Sequence, residues 1–234
     1  DTFYTIKVGE SIVKNGIDMK DHFSIHKLDY TYPHWLYDVI TYKLYQLGGL
    51  EGLYQCTILI FMIIGIIFYL MNIKKNKSYF VSLLFSILAM IMLARFVTAR
   101  AQLITYLLFL IEIIFIENLL QDGKKWNLIG LFLISILIAN LHAAVWPFYF
   151  ILMLPYLFEY LMTKIVSKIK NKPKLGIFEK KIDLVQNKNI KYLGFIFLIS
   201  LPLGLLTPIG DVPYTYFIKI LQGNTMQYIN EHKP

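Results

Sequence analysis

Apolar and polar positions follow two regimes along this chain. Over residues 1–55 they mix at helical spacing, and from Cys56 onward long apolar runs are separated by charged connectors. In the first regime Phe3, Ile6 and Val13 fall on one side of a predicted helix, while Lys7, Glu10 and Lys14 share the other. Asn15-Gly16 supplies its stop, since glycine takes a left-handed cap without steric cost. A second helix is predicted to begin at Pro33, which suits a first turn, and to run through Trp35, Leu36, Val39, Ile40, Leu44 and Leu47 to Gly48-Gly49. Helices greasy on one side and charged on the other are expected to lie on a membrane surface. Between them Asp18, Asp21, His22, Ser24 and His26 form a turn rich in groups that could do chemistry.

In the second regime six runs are predicted to cross a bilayer, each approaching the roughly 20 residues that a hydrocarbon core of about 30 Å requires. They are residues 56–73, 80–94, 101–118, 127–141, 143–162 and 192–206, the fourth and fifth hinged at His142. The expected fold class is therefore all-α: a polytopic transmembrane helical bundle of six visible spans over residues 56–206. A loop with two amphipathic juxtamembrane helices (1–55) precedes it, a basic connector (163–191) interrupts it, and a polar, aromatic tail (207–234) follows. The chain starts at Asp1 without a methionine or a signal pattern, so a further span is expected upstream, and the tail is expected to be truncated.

Composition agrees, at 57% hydrophobic and 16% charged residues. The net charge of +8 would suit nucleic acid, but the lysines gather in loops beside apolar runs, so no nucleic-acid partner is expected. Lys74, Lys75 and Lys77, then Lys124 and Lys125, then nine lysines from Lys164 to Lys191 occupy alternate connectors. The positive-inside rule puts those three connectors in the cytoplasm. By parity residues 1–55, the Arg95 to Arg100 turn, the His142 hinge and the tail share the outer face of a cell membrane. The lone Cys56 excludes an internal disulfide.

Several short segments carry a family resemblance. Asp1-Thr-Phe-Tyr4 leads into a helix ending Asn15-Gly16-Ile17; Asp21-His-Phe23-Ser24, Pro33-His-Trp35-Leu36 and Leu47-Gly48-Gly49 follow, with Ala99-Arg100 and Asn140-Leu-His142 later. The tail adds Thr207-Pro208-Ile-Gly210 and Tyr228-Ile-Asn-Glu231. This layout resembles the GT-C class of polytopic glycosyltransferases, in the protein-mannosyltransferase-like group and its bacterial members. The chain departs from that pattern at Thr2, where many members carry a second acid, and at His232, where tryptophan is commoner.

The resemblance implies transfer of a sugar from a polyprenyl-phosphate donor to an extracytoplasmic glycan or protein acceptor. The residues make chemical sense of it. A lipid phosphate is already a good leaving group, so inverting displacement needs one carboxylate to take the acceptor's proton and cations to hold the developing phosphate charge. Asp1 and Asp21 are the candidate bases. Arg95 and Arg100 are candidate phosphate clamps, because the guanidinium fork gives two directed hydrogen bonds and stays charged near lipid. His142, Trp35 and His34 are further candidate substrate contacts.

Plainer readings stand beside these. Asp1 could be a polar residue at a span boundary, Asp21 a turn cap, and the arginines headgroup anchors. His142 could bond backbone groups left open between helices. His34 and Asp38, one turn apart, read as a surface pair rather than a dyad. No cofactor is fixed by the sequence, although Asp18, Asp21, His22 and His26 have a spacing that could hold a divalent cation. Glu112 lies within a span and must face protein, water or a proton. A lipid-linked sugar transporter or flippase, or a non-catalytic assembly subunit, are the competing classes. A transporter is expected to spread ionisable groups through the bilayer depth, whereas here they concentrate at one face.

Overall fold

A computed structural model describes residues 2–23, 25, 29–168 and 189–222, and the described residues contain eight α-helices and no strand. Of these, α1 (Thr2–Asn15) lies over the start of α2 (Trp35–Asn76), and α3 (Tyr79–Leu93) packs along the later part of α2. The remaining helices are α4 (Ala101–Asp122), α5 (Trp126–Leu141), α6 (Trp146–Lys168), α7 (Ile190–Ser200) and α8 (Val212–Gln222). Short 3-10 turns at Ala94–Phe96, Ala143–Val145 and Leu201–Leu205 link them.

Four helices are long and apolar enough to cross a membrane: Trp35–Asn76, Tyr79–Phe96, Ala101–Asp122 and Ala143–Ile165. Trp126–Leu141 and Ile190–Leu205 are apolar but shorter. The core gathers between α4, α5, α6 and α7, where Ile116, Leu119, Leu131, Ile138, Tyr149, Met153 and Leu193 are buried. By contrast α3 buries only Ser82 and Ser86, and its large side chains, among them Phe80, Phe85 and Met92, face outward. That contact uses small and polar groups, as membrane helix pairs do: Asn72 Nδ2 donates to Ser86 Oγ at 3.4 Å, and Gly65 lets Met90 in.

The stop expected at Gly48-Gly49 is seen as a break within α2, where Gly49 leaves helical backbone at a φ of 63° and a ψ of −156° that only glycine takes readily. Two expectations need correction. The buried face of α1 is Thr5, Val8, Gly9 and Ile12 with Ile6 at its edge, while Phe3 and Val13 are exposed. Phe3 in fact shares the face of Lys7, Glu10 and Lys14, where Glu10 pairs with both lysines at 2.8 and 2.7 Å. Finally, the start of the tail folds back: Ile209 and Val212 are buried with Val8, Ile12, Tyr32 and Ala143, and α8 continues from there.

The contacts define two ends of the bundle. At one, Lys75 Nζ meets Glu117 Oε1 at 2.6 Å, Lys74 Nζ meets Asn118 Oδ1 at 3.1 Å, and Asn189 Nδ2 donates to the Leu120 carbonyl at 3.3 Å. At the other lie α1, the start of α2, the Arg95 to Arg100 turn, the His142 hinge and the return segment before α8.

Candidate functional site at the polar end of the bundle

His34 and Asp38 anchor this end. Pro33 and His34 lead into α2, and the Pro33 carbonyl accepts from the Ala143 amide at 2.7 Å, which ties the helix start to the hinge after α5. One turn on, both carboxylate oxygens of Asp38 lie 2.9 Å from His34 Nδ1. Asp38 is fully buried, with a side-chain exposure of 0% against 26% for His34. The surface-pair reading is thus overturned, because α1 covers this turn at Gly9 and removes Asp38 from solvent. A buried carboxylate needs a partner, and His34 is the one this turn supplies.

His142 follows the last residue of α5, and its ring lies 6.5 Å from that of His34. Its Nδ1 is 2.9 Å from Thr105 Oγ1, and that hydroxyl is also 2.9 Å from the Ala101 carbonyl. A hydroxyl has one proton. If Thr105 gives it to Ala101, the His142 Nδ1 carries the ring proton and Nε2 is left as the acceptor nitrogen. Burial, and secondarily the charge of His34, lowers the His142 pKa to about 4, so the ring is neutral at pH 7.

Two residues before His142, Asn140 closes the same junction. Its Oδ1 accepts from the Trp35 indole at 3.2 Å, and its Nδ2 donates to the Ile136 and Leu206 carbonyls at 2.8 and 3.0 Å. Trp35 is therefore held by hydrogen bonding as well as by packing. The Asn140-Leu-His142 triplet joins α2, α4, α5 and the return segment.

Aromatic rings roof this cluster. Tyr4 of α1 meets Phe23 and Tyr30 edge to face, at 5.5 and 6.3 Å between centroids, and Tyr30 meets Tyr32 edge to face at 4.7 Å. The Tyr32 hydroxyl donates to the Lys20 carbonyl at 2.7 Å, which pins the turn against the roof. Burial raises the Tyr4 pKa; a hydrogen bond with Tyr30 works against that, and the charges of Asp21 and Asp38 add to it. Tyr4 thus sits within electrostatic reach of both carboxylates, one from the turn and one from α2. The Tyr32 hydroxyl is pushed up to about 12, by burial first and then by Asp18, Tyr4 and Asp21.

Other predicted residues are less tightly drawn in. Asp1 lies outside the described residues, immediately before α1. Asp21 is half-buried, and its Oδ1 accepts from the Phe23 amide at 2.8 Å, the turn-capping geometry. Asp18 Oδ2 lies 2.6 Å from His22 Nε2. His26 lies outside the described residues, and among those described no group of three or more His, Cys, Asp or Glu gathers to hold a metal ion. Arg100 is partly buried in extended backbone, and its carbonyl accepts from Leu103 at the head of α4, five positions before Thr105. Arg95 is exposed in the turn that ends α3.

Sequence reasoning missed the importance of Asp38 and of Thr105. The first had a visible signal in its spacing from His34. The second had none, since a threonine inside an apolar run usually bonds its own helix, as Thr105 also does. Comparisons of the chain with protein-family models, curated proteins and solved structures find no match.

Proposed function

We propose that this protein is a membrane glycosyltransferase of the GT-C kind, moving a sugar from a polyprenyl-phosphate donor to an extracytoplasmic glycan or protein acceptor. In this reading the chain crosses the cell membrane six times, the two shorter apolar helices included, with residues 1–55 outside. Asp1 takes the acceptor's proton and Asp21 supports it. Arg100 and Arg95 hold the carrier phosphate as charge develops on the leaving oxygen, and Trp35, His34 and neutral His142 line the place where the sugar sits.

The observation that supports this best is the convergence at one end of the bundle. His34 with Asp38, His142 with Thr105, and Trp35 with Asn140 are fixed by mutual hydrogen bonds, and Tyr4 lies within electrostatic reach of Asp21 and Asp38. Polar groups held by their neighbours are pre-organised, which a transferase site requires. Asp38 adds a role absent from the sequence reading: it orients His34.

The test is donor-dependent transfer by purified protein in nanodiscs, using polyprenyl-phosphate hexoses and pentoses, beside glycan profiling of cells with and without the protein. Consumption of one donor and loss of the matching monosaccharide are expected. Failure to consume any donor, with unchanged surface glycans, would refute the transferase.

A further inference from the structure

Away from that end, one acidic residue lies inside the bundle. Glu112 is on α4, eleven residues from its start, and its exposure is 0%. Neither carboxylate oxygen has a hydrogen-bond partner among the described residues. The residues one turn to either side on this face, Leu108 and Ile116, are buried in the apolar core together with Leu131, Tyr149 and Met153.

Among the described residues, the helices packed against α4 carry their Lys side chains toward their ends. The α5 segment has no titratable side chain, and α7 has only Lys191 and Tyr192, at its beginning. The charges of α2 lie toward its two ends, Asp38, Lys43 and Glu51 at one and Lys74 and Lys75 at the other. From α6 the groups that feel Glu112 are the hydroxyls of Tyr149 and Tyr156; Glu159, Tyr160, Lys164 and Lys168 lie further along that helix. Tyr149 is already engaged, 3.1 Å from the Leu131 carbonyl and 3.3 Å from Ser200 Oγ.

An ionised carboxylate left without donors in such surroundings would lose its hydration with nothing to offset it. We propose that Glu112 is an intramembrane proton-binding site, a neutral carboxylic acid whose ligand is the proton, set in the core of the bundle between α4 and α6. The site is independent of the transferase reading and would exist equally in a transporter.

A neutral buried acid has a characteristic reaction. Dicyclohexylcarbodiimide is apolar and enters bilayers. The acid's proton passes to one carbodiimide nitrogen while a carboxyl oxygen bonds to the central carbon, giving an O-acylisourea. Migration of the acyl group from oxygen to nitrogen then yields a stable N-acylurea, with no leaving group and no other reactant.

The experiment uses the whole protein in nanodiscs at pH 7. An infrared difference spectrum between wild type and Glu112→Gln should contain the carbonyl stretch of a protonated carboxylic acid, and Glu112→Asp should restore such a band at a shifted position. Carbodiimide treatment followed by peptide mass analysis should give an adduct on Glu112 that the glutamine variant lacks. If the difference spectrum instead shows the paired bands of an ionised carboxylate, the proposal is overturned, whatever the carbodiimide does.

Discussion

The backbone carbonyl of Asp38 occupies the space that a side chain at Gly9 would need. An added Cβ would collide with that carbonyl and stand 2.8 Å from Tyr42 Cβ. Because the obstacle is backbone, no rotamer change relieves it, and α1 would have to lift from α2. Gly9→Ala should therefore cost about 1–3 kcal/mol and lower the thermal midpoint in detergent, whereas Val13→Ala on the exposed face should not. Equal midpoints for Gly9→Ala and wild type would show that α1 does not seat on α2 this closely.

The same seating buries Asp38, and this links fold to chemistry. Asp38→Asn keeps the shape but removes the charge facing His34, so transfer should fall by roughly 10- to 100-fold with helicity unchanged. The check is transfer rate beside circular dichroism. Wild-type rates in a folded variant would leave the pair a packing role only.

In the proposed transferase, Asp1→Asn removes the proton acceptor alone. Transfer should drop about 100-fold or more while donor binding survives, and Arg100→Ala should weaken binding and transfer together. Should Asp1→Asn stay active while Asp21→Asn abolishes transfer, the base is Asp21.

For His142 the folded pKa of about 4 lies below the ordinary 6.5. The unfolded chain therefore binds this proton first as the solution is acidified. The stability involved is fully present above pH 6.5 and disappears as pH falls through about 4, amounting to about 3 kcal/mol. The comparison must be with His142→Asn, which isolates the contribution of this ring. The stability advantage of wild type over that variant should shrink between neutral and acid pH, and a constant difference would count against a buried neutral ring.

Sidedness is tested with a membrane-impermeant lysine reagent on sealed right-side-out vesicles. Lys14, whose side chain is 62% exposed, should react, while the lysines from Lys168 to Lys181 are spared. The opposite pattern would reverse the topology and move the site to the cytoplasm.

What the sequence determined by itself was the apolar character of the helices and most of their limits, because these depend on local properties. Apolar runs of nearly bilayer length, a glycine at the bend and lysines in the connectors are read one segment at a time, and the helices over 79–93, 101–122 and 126–141 start and stop within a few residues of expectation. The candidate site was only partly legible. His34, Trp35 and His142 were named, yet no spacing rule could show that residues more than a hundred positions apart, such as Trp35 and Asn140, hydrogen-bond, or that Thr105 meets His142. Tertiary structure alone decided which face of α1 is buried, since a helix with apolar groups on several sides is oriented by what covers it. Gly9 admits α2, Val8 and Ile12 meet the returning Ile209 and Val212, and Phe3 is left outside. It alone also turned Asp38 from a surface residue into a buried carboxylate, because burial is a property of the packed pair of helices and not of either one.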